Sequence, residues 1–471
     1  MSAAAPAPAG RRLSHSLARV LPLAWPLFIG QLAVLAFSTV DTVMLGRHAT
    51  GDLAALSVGA AAYVTIFIGL MGVVMAVGPL AGRRFGAGDL RGAGAQFHQA
   101  VWLALGLAAL GSLLLTMPGP FLALAKADAD VRRRVEDYLG ALAFALPASL
   151  LFASFRGFSM AVSRPRIVMA LQLGGLALKV PLNALLVFGG SLGPWEVSAL
   201  GVQGCGVATA IAMWAQLAAA VVLLRRDPFY ARFGVSRLRL ARPDPAALWA
   251  QLRLGVPMGL SILIEVTGFA FMALFIARVG TTAVAGHQIC ANLAALMFML
   301  PMSLANATTT LVAQRIGAGD PGDARRLGLH GLLIGVGFAL VLGLAIVTLR
   351  GPIVGLYTGD AAVAAAALPL LAFLAVFHVV DAIQCVASFV LRAWHVTTAP
   401  MVIYAVAIWG LGLGGGWVVG FDSLGVVPPS LQGAPGYWLA STTGLSVAAA
   451  ALAWLLHRVS KDAVRDHAGA G

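Results

Sequence analysis

Charged residues are scarce in this sequence, and their scarcity excludes most soluble folds. Only 10% of the 471 residues are Asp, Glu, Lys or Arg, whereas a soluble domain has about 25%. Hydrophobic residues make up 60% of the chain, and the mean hydropathy is +0.91. Such a chain has too few polar side chains to cover a surface in water. We therefore expect a membrane protein.

Other absences narrow the classes of function. The three cysteines, Cys205, Cys290 and Cys385, lie in apolar stretches and form neither a disulfide framework nor a zinc-ligand spacing. No Gly-rich turn continues into the Lys-Ser/Thr pair of a P-loop. The basic residues behind the net charge of +13 are dispersed in loops between apolar stretches. We therefore expect no cofactor and no nucleic-acid partner.

What the sequence does contain is a series of long apolar stretches. Each is close to or above the roughly 20 residues with which a helix spans a bilayer, whereas an outer-membrane barrel would give shorter stretches of alternating polarity. The pattern predicts an all-α membrane protein with twelve transmembrane helices. The predicted spans are 18–45, 53–82, 93–117, 132–155, 165–190, 201–226, 248–278, 283–312, 322–348, 361–391, 398–421 and 434–458.

The basic residues predict the orientation of these spans. With a cytoplasmic N-terminus, 23 Lys and Arg residues lie on the cytoplasmic side and 7 on the outside. By the positive-inside rule, both termini are expected in the cytoplasm. The polar N-terminal stretch is unlike a signal peptide, so we expect the first span to be retained. These features predict a multi-pass protein of the bacterial inner membrane.

The two halves of the chain resemble each other. The motif Arg84-Phe-Gly-Ala-Gly-Asp89 recurs as Arg315-Ile-Gly-Ala-Gly-Asp320, an offset of 231 residues. Pro26 and Pro257 keep the same offset. Six spans per half is an even number, so the repeat is parallel and a substrate cleft is expected between two six-helix bundles. The predicted divisions are an N-terminal tail (1–17), an N-lobe (18–226), a basic linker (227–247), a C-lobe (248–458) and a C-terminal tail (459–471).

Three carboxylates are predicted deep within spans: Asp41, Glu265 and Asp381. A charge in hydrocarbon costs several kcal/mol and is seldom kept without a use. All three are candidates for cation coupling. Glu265 and Asp381 fall at similar depth, so they are also candidates to share a proton or a desolvated Na⁺. The structural alternative is a set of neutral, hydrogen-bonded carboxyls. The acids are not duplicated, because the repeat-related positions are apolar: Met272 for Asp41, Val34 for Glu265 and Leu146 for Asp381.

Several ordered motifs resemble the MATE family of multidrug and toxin extrusion transporters, in its NorM-like branch. They are Val40-Asp-Thr-Val-Met-Leu-Gly46, Lys179-Val-Pro-Leu-Asn183, Gly206-Val-Ala-Thr-Ala210, Ala285-Gly-His-Gln-Ile289 and Asp381-Ala-Ile-Gln384, together with Glu265. The resemblance implies a V-shaped antiporter for organic cations. It also implies cation coupling at Glu265 and Asp381, an N-lobe polar cluster of Asp41, Asn183 and Thr209, and substrate contacts at Phe269, Gln288 and Asp360.

Each secondary position has a structural alternative. Phe269 lies one turn beyond Glu265 and offers a π face to an organic cation, but aromatic residues more often serve as packing. Gln288 and Asn183 are also the kind of polar residue that bridges membrane helices. Asp360 falls in an outside loop, where a carboxylate is usually solvated. Thr209 is able to bond its own helix instead of a ligand.

Two positions depart from the family pattern. Lys179 lies one helical turn before Asn183, where relatives generally have an uncharged residue. A lysine at this depth needs a partner or a polar cavity, so we predict that it faces Asp41; a side chain reaching an interface is the alternative. Phe377, four residues before Asp381, replaces a tyrosine found in some relatives. Its lack of an oxygen weakens the case for Na⁺ over H⁺.

The sequence therefore predicts a multidrug efflux antiporter that exchanges organic cations for Na⁺ or H⁺. It is expected to be a monomer surrounded by lipid, and Glu265 and Asp381 are the candidate Na⁺ ligands. A lipid-linked oligosaccharide flippase of the same superfamily is the nearest alternative, although its cleft would be expected to carry cationic residues. A membrane enzyme would need a polar cluster in a sizeable loop, and the outside loops are short. A channel would need a symmetric pore ring.

Overall fold

The computed structural model describes residues 13–125, 128–192, 195–236 and 240–469, and these segments are almost entirely helical. The predicted N-terminal tail up to residue 12, part of the predicted linker (237–239) and the last two residues lie outside the described residues. The elements of the N-terminal half are α1 (Leu13–His48), α2 (Thr50–Val74), α3 (Val77–Gly86), α4 (Leu90–Leu115), α5 (Gly119–Ala125), α6 (Ala129–Ala161), α7 (Pro165–Phe188), the two-stranded hairpin β1 (Gly190–Leu192) and β2 (Trp195–Val197), α8 (Gly201–Arg226) and α9 (Pro228–Ala231).

The C-terminal half has the same order of long helices. Its elements are α10 (Pro245–Ala277), α11 (Thr281–Gly317), α12 (Pro321–Thr348), α13 (Arg350–Tyr357), α14 (Ala361–Ala393), α15 (Thr398–Tyr404), a π-helical segment (Ala405–Gly414), α16 (Gly415–Gly420), a 3₁₀ turn (Pro429–Leu431) and α17 (Ala434–Gly469).

Twelve candidate membrane spans are present among the described residues, which confirms the predicted fold class. Every predicted span overlaps one of them, the second being α2 and α3 together. The largest difference is at the last span, since α17 continues to Gly469, through most of the predicted C-terminal tail. Hydropathy falls after the apolar stretch, but Lys, Ala and Arg still favour helix there.

The repeated motif forms the same turn in each half. Asp89 accepts a hydrogen bond from the Gly92 amide at 2.8 Å and caps α4, and Asp320 accepts one from the Asp323 amide at 2.9 Å and caps α12. Each turn contains a glycine with positive φ, +77° at Gly88 and +74° at Gly319, where a side chain would be strained. The motif therefore forms a turn whose aspartate caps the following helix.

The two lobes meet chiefly at the end of the molecule that carries both chain termini. There α1 packs on α11 and α12, α2 packs on α10, and α3 packs on α11. The first glycine of each repeated motif makes this approach possible. A Cβ on Gly86 would overlap the backbone of Gln314, and a Cβ on Gly317 would overlap the backbone of Arg83. These two contacts are related by the 231-residue offset, as expected for a pseudo-two-fold axis between the lobes.

Polar contacts between the lobes lie at the same end. Arg19 of α1 donates a hydrogen bond to Asp323 of α12 at 2.9 Å, and Asp323 is buried and also pairs with Arg315. Nearby, Ser16 of α1 and His330 of α12 are hydrogen-bonded at 2.7 Å. This arrangement holds the first helix of the N-lobe against the third long helix of the C-lobe.

A second group of contacts joins α3 to the end of α14. The Arg83 guanidinium donates to the carbonyl of Ala393, with its Nε at 2.9 Å. His395 lies in the following turn, where burial and the nearby Arg83 lower the pKa of its imidazole to about 4. His395 is therefore neutral at physiological pH and adds no charge beside the Arg83 guanidinium.

Candidate functional site

The N-lobe contains a buried ion pair between α1 and α7. Lys179 Nζ donates to Asp41 Oδ2 at 2.7 Å, and Asn183 Nδ2 donates to Asp41 Oδ1 at 2.7 Å. The two α7 residues are four apart, so they lie on one face of the helix and reach the carboxylate together. The Lys179 ammonium also lies 4.8 Å from the centre of the Phe37 ring. The predicted contact between Lys179 and Asp41 is therefore confirmed, and the carboxylate is neutralised by a residue of the chain.

Thr209 does not share in this pair through its hydroxyl. Its Oγ1 donates to the carbonyl of Cys205, one turn earlier on α8, at 3.0 Å. Cys205 itself is near the cluster, with Sγ 4.0 Å from Asn183 Nδ2. The structure joins Asp41 and Asn183 of the predicted polar cluster, together with Lys179, while the Thr209 hydroxyl bonds its own helix.

The C-lobe holds a different arrangement, built from α10 and α14. Gln384 Nε2 donates to Asp381 Oδ1 at 2.8 Å and to Glu265 Oε1 at 3.2 Å. One side-chain amide thus bridges the two predicted coupling carboxylates. Within the described residues, neither carboxylate forms an ion pair with a basic side chain. The Gln384 N–H₂ group, rather than a basic side chain, therefore lies between the Glu265 and Asp381 carboxylates.

The other end of the same amide is held by α15. The Tyr404 hydroxyl donates to Gln384 Oε1, and both side chains are buried. Tyr404 is the last residue of α15, immediately before the π-helical segment. Long π-helical segments are rare and frequently occur at functional sites. The chain of contacts consequently runs from Asp381 and Glu265 through Gln384 to the beginning of that segment.

Glu265 opens onto a small cavity, while Asp381 lies behind it. The cavity, of about 30 Å³, has a largely apolar wall that includes two aromatic rings and three residues of the π-helical segment. Phe269 and Phe377 meet edge to face there, with ring centres 5.6 Å apart. The lining residues are Glu265, Gly268, Phe269, Met272, Phe377, Ile408, Gly412, Leu413, Ser441 and Leu445.

The other two predicted substrate residues lie elsewhere. Gln288 lines a separate open depression with Asn292 and Tyr357, whose hydroxyl donates to Asn292 Oδ1 at 2.8 Å. Asp360 caps α14 by accepting from the Ala362 amide at 2.7 Å and from the Val363 amide at 3.3 Å. The structure therefore gives Asp360 a local structural role and joins Phe269, but not Gln288, to the Glu265 cavity.

Sequence reasoning assigned no role to Gln384 or Tyr404, or to Asp52, which belongs to a separate buried network. Gln384 follows Asp381 by three residues, a spacing that places both on one helix face, so this contact was readable from the sequence. Tyr404 is twenty residues further along and reaches Gln384 only through helix packing. Asp52 lies near a predicted span end, yet it is buried, accepting from Arg134 at 2.7 Å and pairing with His48 at 2.6 Å.

The chemistry available at the C-lobe pair is the capture of a small cation. Within the described segments, no group of three or more His, Cys, Asp or Glu residues is arranged to hold a metal. Two neighbouring carboxylates that form no ion pair attract a proton, a monovalent cation or an organic cation. Aromatic rings beside a carboxylate attract organic cations, but the cavity of about 30 Å³ has room only for a water-sized body, so an organic cation needs a more open arrangement.

Comparison with known proteins identifies the family. The family model MatE matches residues 26–185 and again residues 257–418. The chain belongs to the MatE family. The two MatE matches begin 231 residues apart (257 − 26), which is the offset of the repeated motifs, so the duplication predicted from the sequence is confirmed.

Relatives and solved structures agree with this membership. The chain is 38% identical to the "Probable multidrug resistance protein NorM" of Aromatoleum aromaticum over 96% of its length and 95% of the relative's. It is 34% identical to the multidrug resistance protein PmpM of Pseudomonas aeruginosa, over 99% and 96% of the two chains. Its fold matches a crystal structure of the Vibrio cholerae MATE transporter VcmN with a TM-score of 0.83, at 18% identity over 97% and 99% of the chains.

Proposed function

We propose that this MatE protein is a secondary active antiporter that exports organic, mostly cationic compounds in exchange for Na⁺ or H⁺. The observation that carries the proposal is the pair of Glu265 and Asp381, two carboxylates that are bridged by an amide and form no ion pair with a basic side chain in the described chain. Keeping such a pair inside a membrane protein costs several kcal/mol. Reversible binding of a positively charged ligand would offset that cost and explain why the pair is present.

Coupling is assigned to the C-lobe pair because Asp41 is already matched by Lys179 in the N-lobe. Glu265 lies at the cavity wall and Asp381 is buried behind it. A coupling ion is therefore expected to reach Glu265 first. When Na⁺ is that ion, these two carboxylates are its charged ligands.

The substrate class follows from the cavity wall and from the relatives. Phe269 and Phe377 lie next to Glu265, and rings beside a carboxylate suit a flat or bulky organic cation. The two relatives named above are multidrug resistance proteins, which supports small-molecule substrates. Gln288 and Asp360, near the ends of α11 and α14, are candidates for contacts at the cleft.

Exchange requires the lobes to alternate between two arrangements. In the arrangement described, α1–α3 contact α10–α12 at the end that carries the chain termini. A ligand shifts such an equilibrium only through different affinities for the two states. A cation that neutralises Glu265 and Asp381 lowers the affinity of the same site for an organic cation, and this competition couples the two fluxes.

The same proposal includes location and assembly. A bacterial inner membrane with both termini in the cytoplasm is supported by the excess of Lys and Arg in the segments on the termini side, 23 against 7. In that orientation the lobes are closed on the cytoplasmic side. A lipid-embedded monomer suffices, because the cleft lies between the two lobes of one chain.

The test is efflux of a fluorescent organic cation from proteoliposomes under imposed Na⁺ or proton gradients. Wild type is expected to respond to one of the gradients, and Glu265→Gln is expected to lose that response. Glu136→Gln makes the same chemical change at an exposed position of α6 and serves as the matched control. Wild-type protein that is inactive under both gradients would contradict the proposal and direct testing to lipid-linked oligosaccharides.

A further inference from the structure

The Gln384 amide has two chemically different ends, and the structure uses both. Its N–H₂ end donates to Glu265 and Asp381. Its carbonyl end accepts from the Tyr404 hydroxyl. A phenol hydroxyl can donate or accept, but only the carbonyl end of the amide accepts the Tyr404 proton, so this hydrogen bond favours the orientation in which the N–H₂ end faces the carboxylates.

This orientation matters for the identity of the cation. Hard metal cations in proteins are bound by oxygen ligands, and the N–H₂ edge that faces Glu265 and Asp381 carries partial positive charge. A Na⁺ between the carboxylates needs the Gln384 carbonyl turned toward it. A proton needs only one carboxylate oxygen, so it binds without any rotation of the amide.

Rotation of the amide has a cost at Tyr404. It would turn the Gln384 N–H₂ group toward the hydroxyl, which would lose the carbonyl that accepts its proton and keep only the Ser388 hydroxyl within hydrogen-bonding reach. Tyr404 is only 3% exposed, so no water replaces the lost carbonyl, and weakening a buried hydrogen bond in this way costs free energy. The Tyr404 hydroxyl thus opposes the orientation that Na⁺ requires.

Nearby groups offer few replacement ligands. Among the cavity-lining side chains other than Glu265, only Ser441 carries an oxygen, and its hydroxyl lies 3.4 Å from Met272 Sδ as a donor. Phe269 and Phe377 supply rings without oxygen. The side chains of the cavity wall therefore offer few oxygen ligands that could replace the Gln384 carbonyl in binding Na⁺.

Apart from Tyr404 of α15, the other titratable and charged groups around the pair lie on α14, the helix of Asp381. Cys385 and Arg392 interact electrostatically with Glu265. His378 lies one turn before Asp381, and its Nε2 has no hydrogen-bond partner among the described residues. On the facing elements, α10 contributes Glu265 and α15 contributes Tyr404.

We propose that Tyr404 is a specificity-determining residue, which holds the Gln384 carbonyl away from Glu265 and Asp381 and thereby selects protons over Na⁺. This inference rests on the proposed antiport function and narrows its coupling ion. Tyr404 positions the amide and does not itself contact either carboxylate in the described hydrogen bonds.

The test compares Tyr404→Phe with wild type in two assays: organic-cation efflux under separate proton and Na⁺ gradients, and binding of ²²Na⁺ to purified protein. Tyr437→Phe is the matched control, because it removes a buried C-lobe hydroxyl that has no hydrogen-bond partner in the described residues. Wild type is expected to respond to the proton gradient alone. Tyr404→Phe is expected to bind Na⁺ about tenfold more tightly, the equivalent of one hydrogen bond, and to gain Na⁺-driven efflux.

A second variant keeps the test informative if Tyr404→Phe does not fold. Gln384→Glu replaces the N–H₂ edge with a carboxylate oxygen while keeping an acceptor for Tyr404, so it too is expected to gain Na⁺ binding. Wild type driven by Na⁺ alone would overturn the selectivity inference while supporting antiport. So would Na⁺ binding that stays unchanged in both variants, or that rises equally in Tyr437→Phe. Absence of efflux under every gradient would instead refute antiport, and the ²²Na⁺ comparison would still decide the role of Tyr404.

Discussion

The N-lobe and the C-lobe share one helical plan but treat their buried charges in opposite ways. In the N-lobe, Asp41 is paired with Lys179 at 2.7 Å, so the cluster carries its own counter-ion. In the C-lobe, Glu265 and Asp381 share the Gln384 amide and form no ion pair with a basic side chain in the described chain. Duplication supplied two equivalent scaffolds, and only the N-lobe pairs its buried carboxylate with a basic side chain.

This difference suggests a structural role for the Asp41 charge and leaves the Glu265 and Asp381 charges available for the proposed coupling. A buried ion pair with a third hydrogen bond, such as the one from Asn183 to Asp41, is satisfied without a ligand. The Glu265 and Asp381 carboxylates form no such ion pair among the described residues. The role of Asp41 in coupling remains a prediction, and in the present arrangement the Lys179 ammonium occupies the place of a bound cation.

The largest expected effect comes from breaking the N-lobe pair on one side. Lys179→Met leaves the Asp41 carboxylate buried without its counter-ion and is expected to destabilise the protein by about 3–5 kcal/mol. Asp41→Asn combined with Lys179→Met removes both charges and is expected to restore most of that stability. Thermal unfolding in detergent, followed by size-exclusion chromatography, measures both changes.

Lys461→Met is the control for this comparison, because Lys461 is exposed on α17. It removes the same charge without uncovering a buried carboxylate, so its melting temperature should equal that of wild type. If Lys179→Met were as stable as wild type, the N-lobe would not depend on its internal counter-ion and the contrast between the lobes would fail.

A second comparison tests the symmetric part of the molecule. Gly86→Val and Gly317→Val place a side chain against the opposing backbone at equivalent positions of the two lobes. Overpacking costs about 1–3 kcal/mol, and both variants are expected to open the closed end to a similar extent. Labelling of a cysteine introduced at Ser16 reports that opening.

Gly337→Val is the matched substitution for these variants, since Gly337 lies in α12 with open space around its Cβ position. Its labelling rate should match that of the parent protein. Strong opening in Gly86→Val with none in Gly317→Val would show that the inter-lobe contact is not shared equally between the repeats.

The smallest expected effect concerns the repeated caps. Asp89→Ala and Asp320→Ala each remove a side chain that accepts from a backbone amide at a helix start. Loss of such a cap costs about 1 kcal/mol, and the two costs should agree. Denaturation of the two variants in parallel measures them, and a clear inequality would mean that Asp323 and its arginine partners add to the C-lobe turn.

The sequence was informative where a feature is local. Long apolar stretches predicted all twelve spans, and a fixed offset predicted the duplication, because hydropathy and repetition are properties of the chain itself. The Lys179–Asp41 contact was predicted as well, since a lysine at mid-membrane depth has few possible partners. Helix ends were less accurate, because a helix can continue into water beyond the apolar stretch, as α17 does.

Features that depend on packing were not predictable in this way. Tyr404 reaches Gln384 from another helix, and no spacing in the sequence encodes that approach. Asp52 is buried and pairs with Arg134 of α6, a contact between residues 82 positions apart that was not predicted from the sequence. Asp360 appeared as a candidate ligand contact, whereas its hydrogen bonds cap α14.

The central claim is that ion coupling belongs to the C-lobe, and one comparison tests it directly. Organic-cation efflux under an imposed proton or Na⁺ gradient would be measured for Glu265→Gln combined with Asp381→Asn, and for Asp41→Asn combined with Lys179→Met, at equal reconstituted amounts. The account predicts that the C-lobe variant loses its response to the gradient while the N-lobe variant retains it. Retained coupling in the C-lobe variant, with loss in the N-lobe variant, would contradict the account.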